Sequence, residues 1–230
     1  MTRNLLTALI ALVFGFAGAA VWSLTGLNDG QTRGFLMDHP EILSDMAGKL
    51  QQQRSEAQLA QVGSIANTPF PGAVLGNPKG SKTLVKFTDY GCTYCRASEA
   101  DVQKLIHNDP DLRIVVREWP IFNGSEAAAR MALAAAKQDK YAQFYSAMFK
   151  YGPPSPTSIA RAAKVAGLDM AQAQKDAASQ AVTNELAKNG ALANTLGFTG
   201  TPSWIAGNQI LQGAVGYQAL ADAISSEKSA

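Results

Sequence analysis

Only two cysteines occur in the chain, Cys92 and Cys95, and they stand three residues apart where a short apolar run gives way to an amphipathic one. That spacing and position constrain the fold more than any other feature of the 230 residues. Thr83-Leu84-Val85-Lys86-Phe87 reads as a short buried strand. Residues 92–107 read as a helix whose apolar side carries Ala97, Val102, Leu105 and Ile106, and Asn108-Asp109-Pro110 stops it. Residues 112–117 read as a second strand, with Ile114 and Val116 alternating against Arg113 and Arg117. Strand, helix and parallel strand in that order form a βαβ unit with a right-handed crossover. Cys92 then falls at the helix N-terminus, beside unpaired amide N–H groups and the positive end of the dipole. Both favour the thiolate, the attacking species in disulfide exchange. Cys95 lies one turn further in on the same face. It is expected to be the more buried and to close a ring on Cys92.

Two other uses of such a pair fit poorly. A structural zinc ion wants four Cys or His ligands, whereas the chain adds only the distant His39 and His107, so no metal site is expected. A disulfide closing so small a loop stabilises by about 2 kcal/mol, against nearly 5 for a long loop, which makes it a weak staple. A reactive pair is the better reading, and it needs no cofactor beyond its own disulfide.

The N-terminal segment supplies a compartment. After Arg3, residues 5–24 carry no charge and are mostly apolar, as in an export signal. Ala17-Gly18-Ala19 has the spacing that signal peptidases accept, yet the run is also long enough to span a bilayer. Residues 1–24 are therefore expected to be a signal peptide or a membrane anchor, which would place the cysteines on the periplasmic side, where disulfides persist. Residues 25–34 are polar and Gly-rich and read as a spacer. Asp38-His39-Pro40-Glu41 has the form of a helix start. Leu43, Met46, Leu50, Gln53, Ala57 and Ala60 follow at alternating spacings of three and four. Residues 25–66 thus read as a spacer and helical arm, either lying on its own domain or joining copies in a homo-oligomer. The net charge is only +2 and neither half is strongly acidic or basic, which gives no support for nucleic acid as a partner.

Residues 67–228 read as the main domain, entered through the Pro-, Gly- and Asn-rich stretch 67–78. About residues 125–196 are rich in Ala, Gln and Lys and read as several helices, broken at Gly152-Pro153-Pro154-Ser155-Pro156 and near Gly167. Ser125, Thr157 or Ser158, and Asp169 are expected caps, and Gly197 the terminator. Ser203-Trp204-Ile205-Ala206 and Gln209-Ile210-Leu211-Gln212 follow as a hairpin around Gly207-Asn208, then a helix over residues 217–225. The class is α/β: a βαβ unit, an inserted helical subdomain, a β-hairpin and a closing helix.

The run Val85-Lys86-Phe87-Thr88-Asp89-Tyr90-Gly91-Cys92-Thr93-Tyr94-Cys95-Arg96 resembles the active-site signature of the DsbA-like family of bacterial thiol–disulfide oxidoreductases, with a thioredoxin-like fold. The likeness is strongest to the ScsC and BdbD branches. It extends through Arg117-Glu118-Trp119-Pro120, Gly200-Thr201-Pro202-Ser203-Trp204 and residues 213–217, covering roughly residues 68–226. Phe35-Leu36-Met37-Asp38-His39-Pro40-Glu41 also resembles the N-terminal arm of ScsC-type proteins.

The resemblance implies that Cys92 is the nucleophile and Cys95 the resolving thiol. It implies that Thr201-Pro202 is a cis-proline loop facing them and binding extended client segments, and that Thr93 and Tyr94 tune the potential. The implied partners are exported client proteins with cysteines and a redox partner that recycles the site; arms of this kind can present several sites around one client. The chain departs from the pattern six residues before Cys92, where family members commonly carry an acid and this one has Lys86. Lys86 could move protons for the buried cysteine if burial depressed its pKa, or could snorkel to the surface. Asp89 is a second candidate for proton transfer, or a turn cap. A client-binding chaperone with incidental cysteines is the alternative function.

Overall fold

A computed structural model describes residues 2–24 and 27–226. Met1, Thr25, Gly26 and residues 227–230 lie outside it, and with them the first residue of the expected leader, the start of the expected spacer and the end of the expected domain. The chain divides into two compact units, residues 1–51 and 52–230.

The first unit holds helices α1 (Thr2–Leu24), α2 (Leu27–Asp38) and the start of α3 (Glu41–Val62). The described part of the expected spacer is therefore helical. Its glycines, Gly30 and Gly34, meet nothing within 4 Å of a Cβ position, and Gly lowers helix propensity without forbidding it. Asp38 ends α2, and α3 begins at Glu41, whose carboxylate meets His39 Nδ1 at 2.9 Å. In α1, Leu9, Leu12, Val13, Phe14 and Phe16 are exposed. Among the described residues no helix is long and apolar enough to cross a membrane.

The second unit is built on a five-stranded sheet in the order β1-β3-β2-β4-β5, from β1 (Val74–Gly76), β2 (Lys82–Thr88), β3 (Leu112–Glu118), β4 (Ser203–Ala206) and β5 (Gln209–Gln212). β2 pairs parallel with β3, while β1–β3, β2–β4 and β4–β5 are antiparallel. Both faces are covered. Leu84, Leu112, Ile114, Val116 and Trp204 point into the larger core, and Val85, Phe87, Val115, Ile205 and Ile210 into a second one with Val62, Leu192, Leu196 and Phe198. Adjacent residues of one strand thus serve different cores, as the two-residue period of a strand requires.

Between β2 and β3 the chain forms two helices, α4 (Thr93–Ala97) and α5 (Glu99–Asn108), rather than the single expected one. The break is at Ser98, whose Oγ donates to the Tyr94 carbonyl at 2.9 Å, a back-bond of the kind that bends helices. The insertion comprises α6 (Ser125–Ala136), α7 (Tyr141–Tyr151), α8 (Pro156–Ala166), α9 (Met170–Ala177) and α10 (Gln180–Thr195), and α11 (Gly216–Ser226) closes the chain. Asp169 caps α9 as expected, accepting from Gln172 N. Gly124 rather than Ser125 precedes α6, and Ser155 caps α8 in a reciprocal pair with Ser158.

Candidate active site

Strand β2 ends at Thr88, and a four-residue turn brings the chain to α4. Asp89 builds that turn. Its Oδ1 accepts from Gly91 N at 2.6 Å, and its Oδ2 accepts from Ile121 N at 2.6 Å and Phe122 N at 2.9 Å. With its carboxylate spent on three backbone donors, Asp89 ties the loop after β3 to the start of the active-site helix. Gly91 lets that loop approach, because a Cβ there would meet Ser125 Oγ at 2.6 Å.

Cys92 is the residue that caps α4, and its sulfur accepts from Cys95 N at 3.3 Å. As a thiol it donates to the Thr201 carbonyl at 3.0 Å. Thr201-Pro202, joined by a cis peptide, leads directly into β4, whose pairing with β2 holds this loop over the sulfur. Both cysteines are free thiols; Cys92 keeps 2% exposure and Cys95 none. Burial pushes the Cys95 thiol up to about 11, against the opposing pull of Thr201, the Asp89 backbone, the Lys86 charge and Thr88. Thr93 and Tyr94 point outward, Tyr94 with 66% exposure, and Ile121 and Phe122 add apolar surface nearby.

Lys86 does not snorkel: its side chain is fully buried. It stands on the β2 face that carries Leu84 and Thr88. There its ammonium pairs with Glu99 of α5 and donates to Tyr145 Oη of α7 at 2.7 Å. The Tyr145 hydroxyl in turn donates to Glu99 at 2.7 Å. The Lys86 ammonium also lies 5.2 Å from the Trp204 ring centroid and 5.4 Å from those of Tyr145 and Phe149.

A second buried acid shares this face. Glu118 stands opposite Thr88 in the β2–β3 register, and its Oε1 accepts from Tyr90 Oη at 2.8 Å and Tyr141 Oη at 2.7 Å. Burial pushes the Glu118 carboxyl up to about 8, although both tyrosine bonds and the Lys86 charge oppose it. Tyr90, Tyr141 and Tyr145 are raised well above the usual phenol range, first by burial and then by the neighbouring carboxylates. The structure therefore gathers Lys86, Asp89, Cys92, Cys95, Thr201 and Pro202 around one helix end. It adds Glu99, Glu118, Tyr90, Tyr141 and Tyr145, which the sequence reading missed. Among the described residues no group of three or more His, Cys, Asp or Glu side chains could hold a metal.

The model of the DSBA-like thioredoxin domain matches residues 83–225, which take in both cysteines, the whole insertion and most of the sheet. The chain belongs to the DSBA-like thioredoxin domain family. A thioredoxin-like oxidoreductase from Silicibacter pomeroyi is 43% identical, superimposes with a TM-score of 0.68, and matches over 73% of this chain and 97% of its own. The thiol-disulfide exchange protein alpha-DsbA2 of Wolbachia pipientis is 27% identical, with a TM-score of 0.69 over 77% of this chain and 97% of its own. Proteus mirabilis ScsC shares the fold at 23% identity, with a TM-score of 0.68 over 90% of this chain and 98% of its own. Among curated proteins, the Na(+)/H(+) antiporter NhaA 3 of Salinispora tropica is 24% identical over 157 residues, and the chain spans about a quarter of its length. The DSBA-like assignment accounts for the mixed sheet with its helical insertion and for the place of the cysteine pair at the end of β2.

Proposed function

We propose that this DSBA-like protein is an exported thiol–disulfide oxidoreductase that forms, reduces or isomerises disulfides in client proteins through Cys92 and Cys95. One observation carries the reading: the Cys92 sulfur is the cap of α4, held between the Cys95 amide and the Thr201 carbonyl. An atom that caps a helix sits where negative charge is favoured. Attack by Cys92 on a client disulfide gives a mixed disulfide. Attack by Cys95 on the Cys92 sulfur then releases the client thiol and leaves the Cys92–Cys95 bond, which a redox partner reduces. Run in reverse, the same steps oxidise a client. No cofactor or metal takes part.

Thr201 and Pro202 line the client path beside the sulfur, and Tyr94, Ile121 and Phe122 offer apolar contact for a polypeptide. Thr93 and Tyr94, flanked by the two cysteines, set the potential. Export rests on the apolar run of residues 5–24. Insulin reduction and refolding of scrambled ribonuclease test the reading directly. Cys92→Ser is expected to abolish both, and equal activity in the two proteins refutes it.

The arm is proposed to join copies of the chain, since Phe35, Leu36, Met37, Leu43, Met46 and Leu50 are all exposed in the first unit. Its removal should stop at residue 51, because Ser55 and Val62 are buried in the second unit. The shortened protein is expected to be smaller in assembly state with its chemistry toward small dithiols intact. If full-length and shortened proteins are both monomers, the proposal falls.

A further inference from the structure

The insertion presents unbalanced charge beside the cysteine pair. Residues 140–168 include Lys140, Lys150, Arg161 and Lys164 but no Asp or Glu. Lys140 is engaged by the Gly167 carbonyl. Lys150 and Arg161 are exposed and share one ring: the Arg161 guanidinium carbon lies 4.0 Å from the Tyr151 centroid, and the Lys150 ammonium 5.5 Å from it. Half-buried Arg96 of α4 has its guanidinium carbon 5.8 Å from the Phe149 centroid. Contact with a ring face orients a cation without neutralising its charge. Among the described residues, none of Arg96, Lys150 and Arg161 has a carboxylate within ion-pair distance. Three acids around the site are engaged elsewhere: Asp89 by backbone amides, Glu99 by Lys86 and Glu126 by Arg130.

The cations adjoin the reacting sulfur. Arg96 N donates to the Cys92 carbonyl at 3.2 Å, so Arg96 stands one turn past Cys92 on the same side of the helix. Its guanidinium reaches Gly152, where a Cβ would meet Nη2 at 2.7 Å. The connection between α7 and α8, which begins at Gly152, therefore runs beside the active-site helix. The same connection meets the loop that carries Ile121 and Phe122, since the Pro154 carbonyl oxygen lies 3.9 Å from a Cβ position at Gly124. Cations, rings and prolines thus share one rim next to Cys92.

We propose that Arg96, Lys150 and Arg161 form a docking surface for acidic client segments, so that the protein favours disulfides flanked by Asp or Glu. The inference rests on the thiol-exchange reading above and names the client class for the same site. A guanidinium seated on a ring keeps its edge N–H groups free for a carboxylate, in a fork that fits both oxygens. Tyr94, Phe122 and Pro153, all exposed, give the client chain apolar contact while the cations select its charge. The exchange itself is unaltered. The Cys92 thiolate bonds to one client sulfur and the other leaves as a thiolate. Cys95 then displaces the first, so the client disulfide is reduced and the protein pair oxidised. The cations act on the encounter. Rim charges work mainly through the association rate and fade with salt, as the Debye length falls from about 30 Å at 0.01 M to about 3 Å at 1 M.

The test offers reduced full-length protein the symmetrical disulfides of three single-cysteine peptides that differ only in carrying Glu, Gln or Lys on both sides of the cysteine. Second-order rates are read by acid quench and mass. Each is divided by the rate of the same peptide with dithiothreitol, which removes the peptide's own reactivity. Wild type is expected to prefer the Glu peptide over the Gln peptide about tenfold at about 0.01 M salt and to lose most of that preference at about 0.5 M. Lys150→Glu/Arg161→Glu should reverse the order, with the Lys peptide fastest, and Lys150→Gln/Arg161→Gln should bring the three rates close together. Both positions are exposed, and a fold defect would slow every peptide alike rather than reverse a preference. Equal normalised rates in wild type, a preference that survives the charge reversal, or one indifferent to salt overturns the docking surface. If wild type reacts with none of the three peptides, the thiol-exchange reading itself fails, a result distinguishable from loss of the charge preference.

Discussion

Glu118→Gln should change how stability depends on pH, and the size of the change follows from where the carboxyl sits. Burial lifts this group from an ordinary 4.5 to about 8 in the folded chain. Between those values the unfolded chain has released the proton and the folded chain still holds it, so unfolding gains from every rise in pH. The stability tied to the neutral carboxyl is complete below about pH 4.5 and is lost as pH climbs through 8. At about 1.4 kcal/mol per unit, the loss reaches about 3 kcal/mol by pH 7 and about 5 by pH 9. Glutamine supplies the same carbonyl oxygen to Tyr90 and Tyr141 and cannot ionise. It places an NH₂ where Oε2 has no hydrogen-bond partner among the described residues, at a cost of about 1–3 kcal/mol that does not vary with pH. The variant should therefore be less stable than wild type at pH 5 and more stable at pH 8. Urea unfolding of both proteins in the dithiol form, at half-unit steps from pH 5 to 8.5, measures the difference. Its expected slope is about 1.4 kcal/mol per pH unit between pH 5 and 7.5. Parallel stability curves would show that Glu118 is already ionised in the folded chain and would refute the reasoning.

Two further substitutions probe the frame around the site. Arg117 is fully buried and bonds Glu185 at 2.9 Å, Asn189 at 3.1 Å and the carbonyls of Ile65, Ala66 and Thr68. Arg117→Met leaves Glu185 with Lys188 as its remaining cation and takes the donor from those three carbonyls, and should cost about 3 kcal/mol in urea unfolding; adding Glu185→Leu should restore part of it, and a loss below about 1 kcal/mol would count against the network. Asp89→Ala removes the acceptor of three backbone amides and should lower stability by about 3 kcal/mol, with Asp89→Asn intermediate. Equal midpoints for wild type and Asp89→Ala would show that the loop is held by other means.

Much of this architecture was legible because backbone demands leave marks on short stretches of chain. The pair at the end of β2, the strands around Gly207-Asn208, and the Gly and Pro breaks in the insertion are local signals, and each fell where read. β1 was missed because its three residues are too few to carry a period. Arg117 was placed on the correct side of β3, opposite Ile114 and Val116, but that side is not solvent. α10 and the 3₁₀ turn Gly63–Asn67 cover it, and alternation along a strand cannot tell water from a second core. The Lys86–Tyr145–Glu99 cluster was invisible for a related reason. Its members come from strand β2, insertion helix α7 and helix α5, and no spacing along the chain brings them together. A sharper signal was available: a lysine on the core face of a central strand demands an acid from whatever packs above it, and Glu99 lies one turn past Cys95.

The carbonyl that meets the Cys92 sulfur arrives 109 residues after it in the chain. During synthesis from the N-terminus, both thiols emerge from the ribosome while the loop that completes their surroundings is still untranslated. The five insertion helices must be made, and β4 added to the edge of β2, before that loop can reach the sulfur. A nascent or truncated chain therefore carries both thiols without the Thr201 carbonyl beside them. The surroundings proposed to make the pair reactive are complete only once the final strands are in place.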